Sequence, residues 1–254
     1  MKIMICGKGG SGKSTISVLL SRSMHNLGFN VILVDADESN IGISTLLGVR
    51  PPENLMDSFG GKAGFKEALN QGLSPDAAFG GKFGTDDIPE NCRRDIDGIR
   101  LVSIGKIHSF GEGCACMMGV LSRRFLSGLT PRKKEIVIVD AEAGIEHLGR
   151  GVDEACDMLI GVIDPSAESF LLADRISEMG KAAGCSVFFI LNKAEPEIEG
   201  AMRSKVDASA LLGVVFRDNE LFLASLEGRP LEFSNSKIGD IAERILEHMN
   251  HRGD

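Results

Sequence analysis

Short apolar runs recur along the chain, and three of them run into an aspartate. Lys2–Cys6, Asn30–Asp35, Ile99–Ile104, Ile136–Asp140, Met158–Ile163, Val187–Leu191 and Leu211–Phe216 are too short for buried helices and mostly continuous in hydrophobicity. That is the pattern of strands inside a sheet covered on both faces. Helical spacing follows several of them: from Thr15 to about Leu27, from about Ala167 to Ala183, and over about Lys237–Asn250. In the last of these, Ile238, Ile241, Ile245, Leu246 and Met249 share one face while Asp240, Glu243 and Glu247 lie elsewhere, as in a helix packed on a sheet. Strands alternating with helices predict βαβ units, hence an α/β fold with a mostly parallel twisted sheet flanked by helices. Between Leu46 and Gly98 the pattern weakens, punctuated by Pro51-Pro52, Gly60-Gly61 and Gly80-Gly81, with a short helical candidate near Phe65–Gln71. The expectation is one domain over residues 1–254 with a surface insertion at about 46–98.

Gly7-Lys8-Gly9-Gly10-Ser11-Gly12-Lys13-Ser14 stands between the first strand and the first helix. It fits G-x-x-x-x-G-K-[ST] in the strand–loop–helix context that a phosphate-binding loop requires. Backbone amides from Gly9, Gly10, Ser11, Gly12, Lys13, Ser14 and Thr15 can turn inward as an anion-binding nest, with the positive end of the helix dipole behind them. Lys13 adds a mobile cation for the β- and γ-phosphates, and the Ser14 hydroxyl can ligand Mg²⁺. Lys8 comes too early in the loop to duplicate Lys13, so it is free to point outward.

Other chemistry gathers at carboxyl ends of strands, where open α/β sheets bind ligands. Asp35-Ala36-Asp37 ends the second strand, and Asp140 ends Ile136–Asp140 in the manner of a Walker B acid that reaches Mg²⁺ through water. Asn192, in Asn192-Lys193-Ala194-Glu195, carries an amide that can pair with an adenine edge.

Charge and cysteine content narrow the picture. A net charge of −8 and a pI near 5.2 argue against broad electrostatic binding to nucleic acid or anionic lipid. No apolar run approaches the roughly 20 residues that span a bilayer. The apolar start runs straight into the glycine-rich loop, so a cytoplasmic chain with reduced thiols is expected, without nucleic-acid or membrane partners. Of six cysteines, Cys92 has no nearby ligand partner, and Cys156 and Cys185 lie in or beside apolar stretches. Cys114 and Cys116 differ, standing one residue apart in Gly111-Glu112-Gly113-Cys114-Ala115-Cys116-Met117-Met118-Gly119. A tetrahedral thiolate centre wants four ligands, so two cysteines are half a site. A two-fold axis would bring the same patch from a second subunit as the other half. The alternative is a redox-active or structural thiol pair. His108, Glu112, Met117 and Met118 stand nearby but read more simply as loop or core residues.

The Gly-Lys-Gly-Gly-x-Gly-Lys-Ser string resembles the deviant Walker A ATPases. Together with the Cys-x-Cys loop, Gly144-Ile145-Glu146-His147-Leu148-Gly149-Arg150-Gly151 and Asn219-Glu220-Leu221-Phe222, it resembles the carbon monoxide dehydrogenase accessory ATPases of the nickel-maturation type, relatives of the cell-division ATPase MinD and the nitrogenase iron protein. The resemblance implies a homodimeric, ATP-hydrolysing protein of the P-loop NTPase fold that holds Ni²⁺, with Zn²⁺ as the other candidate, through Cys114 and Cys116 of both subunits. Its implied client is a metalloenzyme of the carbon monoxide dehydrogenase type. The resemblance further implies that Lys8 reaches the partner subunit's nucleotide, that Asp37 orients the attacking water, and that Asp35 lies near the Mg²⁺ shell. It favours ATP over GTP, since Glu195 only approximates the guanine-binding acid of Asn-Lys-x-Asp. Two other outputs fit the same relatives: Fe–S electron transfer of the nitrogenase type, and positioning of the MinD type. Glu142 departs from the family, which carries a small residue there; a carboxylate beside a γ-phosphate needs Mg²⁺ or a lysine to neutralise it.

Overall fold

The computed structural model describes residues 1–38, 42–70, 81–106, 116–141, 155–231 and 236–250. Its strands are β1 (Lys2–Cys6), β2 (Asn30–Asp35), β3 (Arg93–Ile96), β4 (Ile99–Ser103), β5 (Glu135–Asp140), β6 (Met158–Ile163), β7 (Ser186–Ala194) and β8 (Leu211–Phe216). They form an eight-stranded sheet in the order β3-β4-β2-β5-β1-β6-β7-β8. All neighbours are parallel except β3 and β4, an antiparallel edge hairpin. Parallel pairing aligns the carboxyl ends, so the loops after β1, β2, β5, β6 and β7 open on one edge of the sheet.

Alternation along each strand sends side chains to two separate cores. Ile3 and Ile5 face one layer, with α1 (Lys13–Asn26), α2 (Gly42–Leu47), α8 (Asn219–Glu227) and α9 (Ser236–Asn250). Met4 and Cys6 face the other, with α3 (Leu55–Ser58), α4 (Gly61–Asn70), α5 (Cys116–Gly128), α6 (Ala167–Ala182) and α7 (Pro196–Arg203). Helix α1 contains Ser, Thr, Val and Asn, which are indifferent helix formers. Burial decides its conformation: Ile16, Val18, Leu19, Leu20 and Met24 are all enclosed, and each such side chain contributes roughly 1.5–3 kcal/mol. The apolar face of α9 is likewise used up within the fold, with Ile238, Ile241 and Ile245 fully buried. Among the described residues no helix is long and apolar enough to cross a membrane.

The segment at 46–98 does more than decorate the surface. Phe65, Phe83, Ile88 and Cys92 are buried in the core beneath α5, because a sheet face left bare must be covered by something. Phe83 and Phe125 pack with ring centroids 5.5 Å apart. The segment closes with the β3–β4 hairpin, whose two-residue turn is Asp97-Gly98 at φ 45° and 75°. Aspartate and glycine are favoured in such left-handed hairpin turns.

Candidate nucleotide-binding site

The glycine-rich loop leaves β1 and enters α1 through Gly12, which caps the helix at φ 99°. A Cβ on Gly12 would lie 2.3 Å from Asn192 Nδ2, so both conformation and space demand glycine. Gly9 and Gly10 are exposed at the mouth, while Ser11 and Lys13 are buried and Ser14 and Thr15 half-buried. Lys13 folds back over the loop and donates from Nζ to the Lys8 carbonyl at 3.3 Å. The Ser11 hydroxyl is fully buried with no hydrogen-bond partner in the structure, an orphan inside the loop that suits a site shaped for an anion.

Below the loop lies a stack of carboxylates. β2 and β5 pair in register with Asp35 opposite Asp140. Asp140 is completely buried and accepts from Ser14 Oγ at 2.6 Å and Ser17 Oγ at 3.0 Å. Burial pushes its pKa up to about 7, against the hydrogen bond from Ser14, with Asp35 adding repulsion. Burial also pushes Asp35 up to about 6, partly offset by Lys106. The Lys106 ammonium lies 2.7 and 2.8 Å from the two carboxylate oxygens of Asp35 and donates to the Asp37 carbonyl at 2.5 Å. Asp37 itself is buried at the same edge. Ser14, Asp35 and Asp140 thus bring hard oxygen donors together, the donor set Mg²⁺ takes when phosphates complete its shell. Among the described residues no cluster of three or more His, Cys, Asp or Glu is arranged to hold a metal unaided.

Lys8 does not extend outward in this single chain. Its ammonium pairs with Asp164 at 3.2 Å, touches Glu168 at 4.0 Å and donates to Ser166 Oγ at 3.1 Å. Asp164 sits just before α6, where partial burial would raise its pKa, but hydrogen bonds from Ser166 and Ser169 and the Lys8 ammonium together hold it below the usual carboxylate range.

β7 runs on past Leu191, and its register against β8 slips between Leu191 and Ala194. Lys193 occupies that bulge at φ 56°. The bulge turns two consecutive side chains toward the glycine-rich loop: Asn192 Nδ2 donates to the Ser11 carbonyl at 2.8 Å, and Lys193 Nζ donates to the Gly10 carbonyl at 2.7 Å. In this state the amide nitrogen of Asn192 serves the loop.

A model of the CobQ/CobB/MinD/ParA nucleotide binding domain matches residues 2–231. The chain belongs to that family. An uncharacterized ATP-binding protein of Methanocaldococcus jannaschii is 42% identical over 245 residues, covering 96% of this chain and 98% of that protein. The carbon monoxide dehydrogenase accessory protein CooC of Rhodospirillum rubrum is 35% identical over 235 residues, covering 90% of this chain and 88% of CooC. Among solved structures, septum site-determining MinD of Pyrococcus horikoshii, complexed with Mg-ADP, superposes with a TM-score of 0.65 at 20% identity, covering 96% of this chain and 95% of that one. The family fold is therefore a mostly parallel sheet between helical layers, as described above.

Family membership and geometry together make the glycine-rich loop a phosphate loop. Three residues at it were not assigned roles from sequence. Lys106 is a lone lysine three residues past β4, with no motif around it. Lys193 was visible in the Asn-Lys pair after an apolar run, but its direction depends on the bulge. Ser17 lies one turn beyond Ser14 and shares its carboxylate. Cys114, Glu142, His108, Glu112 and the Gly144–Gly151 string lie outside the described residues, as does the side chain of Cys116. Met118 is buried in the core and Met117 packs against it.

The Lys193 bond is expected to steady the loop rather than build the domain. Lys193→Met should weaken binding of a fluorescent ATP analogue by about tenfold, as for loss of one charge-assisted hydrogen bond. The thermal midpoint should move little, since Lys193 is exposed.

Proposed function

We propose that this protein is an ATP-hydrolysing, nucleotide-switched homodimer that binds nickel through Cys114 and Cys116 of both subunits. It would assist metal insertion into an enzyme of the carbon monoxide dehydrogenase type. The observation that carries the reading is the 35% identity to the accessory protein CooC over 90% of the chain, joined to a Cys-x-Cys pair in the sequence.

In this reading Gly9, Gly10, Ser11, Gly12, Lys13, Ser14 and Thr15 cradle the phosphates of ATP, and Asn192 holds the loop or meets the adenine. Ser14, backed by Asp35 and Asp140, would hold Mg²⁺, whose charge would offset that of the phosphates. Asp37 orients the water. Lys8 leaves Asp164 and crosses to the nucleotide of the second subunit, trading one anionic partner for another. Phosphoryl transfer depends mostly on such positioning and charge compensation. Closure and opening would change the separation of the two Cys114/Cys116 loops, so metal affinity would follow nucleotide state, and metal would bias dimerisation in return.

An anaerobic titration of the reduced protein with Ni²⁺ and with Zn²⁺ tests this, in ADP, in ATP and without nucleotide. The chain has no Trp and no Tyr, which leaves near-ultraviolet thiolate charge transfer readable beside native mass. The expected result is one metal per dimer, lost in Cys114→Ser and Cys116→Ser and sensitive to nucleotide. Metal on monomers, or metal that survives both substitutions, would remove the metal-delivery reading.

A further inference from the structure

We propose that Cys156 and Cys185 form a modification site for small-molecule disulfides, closing reversibly into a bridge between the starts of β6 and β7. The inference goes beyond the metal-delivery reading and uses neither Cys114 nor Cys116.

The sheet brings the two thiols together. β6 and β7 pair in parallel with Met158 opposite Ser186, and the Ser186 amide donates to the Asp157 carbonyl at 3.3 Å. Cys156 and Cys185 stand just upstream, one position out of register. Strands about 4.8 Å apart, rising about 3.3 Å per residue, put such a diagonal pair roughly 6 Å apart between Cα atoms. That lies within the roughly 4.4–6.8 Å that a disulfide spans. Strict alternation would send the two side chains to opposite faces, but the chain bends at Asp157, and both join the same layer of the core. The Cys185 thiol donates to the Cys156 carbonyl at 3.2 Å.

Exposure and charge divide the work between them. Cys185 is half-buried and meets solvent, whereas Cys156 is 7% exposed. The Asp157 carboxylate accepts from the Lys2 amide at 2.7 Å, which pins this stretch to β1. Burial lowers the pKa of the Lys2 ammonium, and charge interaction with Cys156 works against that shift. The same cation therefore favours a Cys156 thiolate. Cys6 and Cys92 are placed differently: both are enclosed, Cys6 donating to the Ile160 carbonyl at 3.6 Å and Cys92 with its pKa raised by burial.

The chemistry is thiol–disulfide exchange, with glutathione disulfide as the oxidant. The Cys185 thiolate attacks one sulfur of the reagent; a Cys185–glutathione disulfide forms and one glutathione leaves as thiolate. The Cys156 thiolate then attacks the Cys185 sulfur, the mixed disulfide breaks and the second glutathione leaves. Two protein thiols are oxidised to one disulfide, one glutathione disulfide is reduced to two thiols, and the two protons pass to the leaving thiolates. The buried thiol needs no access to reagent, because the exposed one carries the disulfide to it.

The test uses the full-length reduced protein, freed of reductant and held with glutathione disulfide, then blocked with N-ethylmaleimide and mapped by mass spectrometry without reduction. In the wild type, the peptide pair joined through Cys156 and Cys185 should exceed the glutathione adduct on Cys185 by about tenfold or more, since a neighbouring thiol acts at a high effective concentration. Dithiothreitol should restore both thiols. Cys156→Ser should lose the bridge and stop at the adduct, and Cys156→Ala gives the same reading should the serine disturb the core. In Cys185→Ser, glutathionylation of Cys156 should be about tenfold slower than that of Cys185 in the wild type, because the buried thiol is hard to reach. A Cys114→Ser/Cys116→Ser protein should form the bridge as the wild type does, whatever the outcome of the metal titration. A wild type that stops at the adduct, leaves both thiols to the maleimide, or joins Cys185 to another cysteine overturns the proposal. A bridge that vanishes without Cys114 and Cys116 overturns it as well.

Discussion

Gly12→Val is expected to weaken nucleotide binding by about 100-fold or more without unfolding the domain. Two costs add at this position. Gly12 sits at φ 99°, where a side chain is strained, at a cost of roughly 1–2 kcal/mol. Its new Cβ would lie 2.3 Å from Asn192 Nδ2, so the bond from Asn192 to the buried Ser11 carbonyl must break, costing roughly 1–3 kcal/mol more. Together they come to roughly 2–5 kcal/mol, and since each 1.4 kcal/mol is about tenfold in affinity, the middle of that range lies above about 100-fold. The damage is local because the sheet and α1 are held by burial far from the loop. Titration with a fluorescent ATP analogue, beside a urea melt, separates the two effects. Affinity within about threefold of wild type would mean that Asn192 and the loop do not need their present spacing.

The frame of the fold was legible because apolar runs of strand length report burial on both faces, and the phosphate loop because its glycines and lysine stand in fixed order. Other features failed for identifiable reasons. Residues 46–98 read as surface because proline and glycine interrupt them, yet Phe65, Phe83, Ile88 and Cys92 fill a face of the sheet that the strongly periodic helices leave uncovered. The edge hairpin carries a turn signal in Asp97-Gly98, but Arg93–Ile96 is too polar to look like a strand. Lys193 aims at the loop only because of a register slip and a left-handed backbone, neither of which leaves a period in the sequence. Lys106 is harder still. Its partners lie 71 and 69 positions away, and nothing local marks it. Lys8 looks free to point outward in the sequence because Asp164 is remote along the chain, and only the pairing of β1 with β6 brings the two together.

Asp140→Asn should stabilise the nucleotide-free protein at pH 8 and at the same time lower Mg²⁺-dependent ATP hydrolysis by about 100-fold or more, since a catalytic metal supplies several kcal/mol of charge stabilisation. The stability half follows from proton linkage. Burial raises the Asp140 pKa from 3.8 to about 7, with Asp35 moved the same way to about 6. Between the unfolded and folded values the native chain keeps protons that the unfolded chain has lost, so stability falls as pH rises through about 4 to 7 and stays low above it. The raised pKa of Asp140 corresponds to a few kcal/mol, on the order of 1.4 per unit. Asparagine has no charge to desolvate, and the Ser14 and Ser17 hydroxyls can turn to accept from its amide. The variant should therefore show a flatter pH profile and a higher urea midpoint at pH 8, with a difference at pH 5 of roughly a third of that size. Adding Mg²⁺ and nucleotide should reverse the order in favour of the wild type, because bound cation and ionised carboxylate then stabilise one another. Urea melts at pH 5, 6, 7 and 8, with and without Mg-ADP, measure both. An asparagine variant less stable than wild type at pH 8 without ligand would show that its hydrogen bonds to Ser14 and Ser17, rather than the cost of burying its charge, dominate this carboxylate.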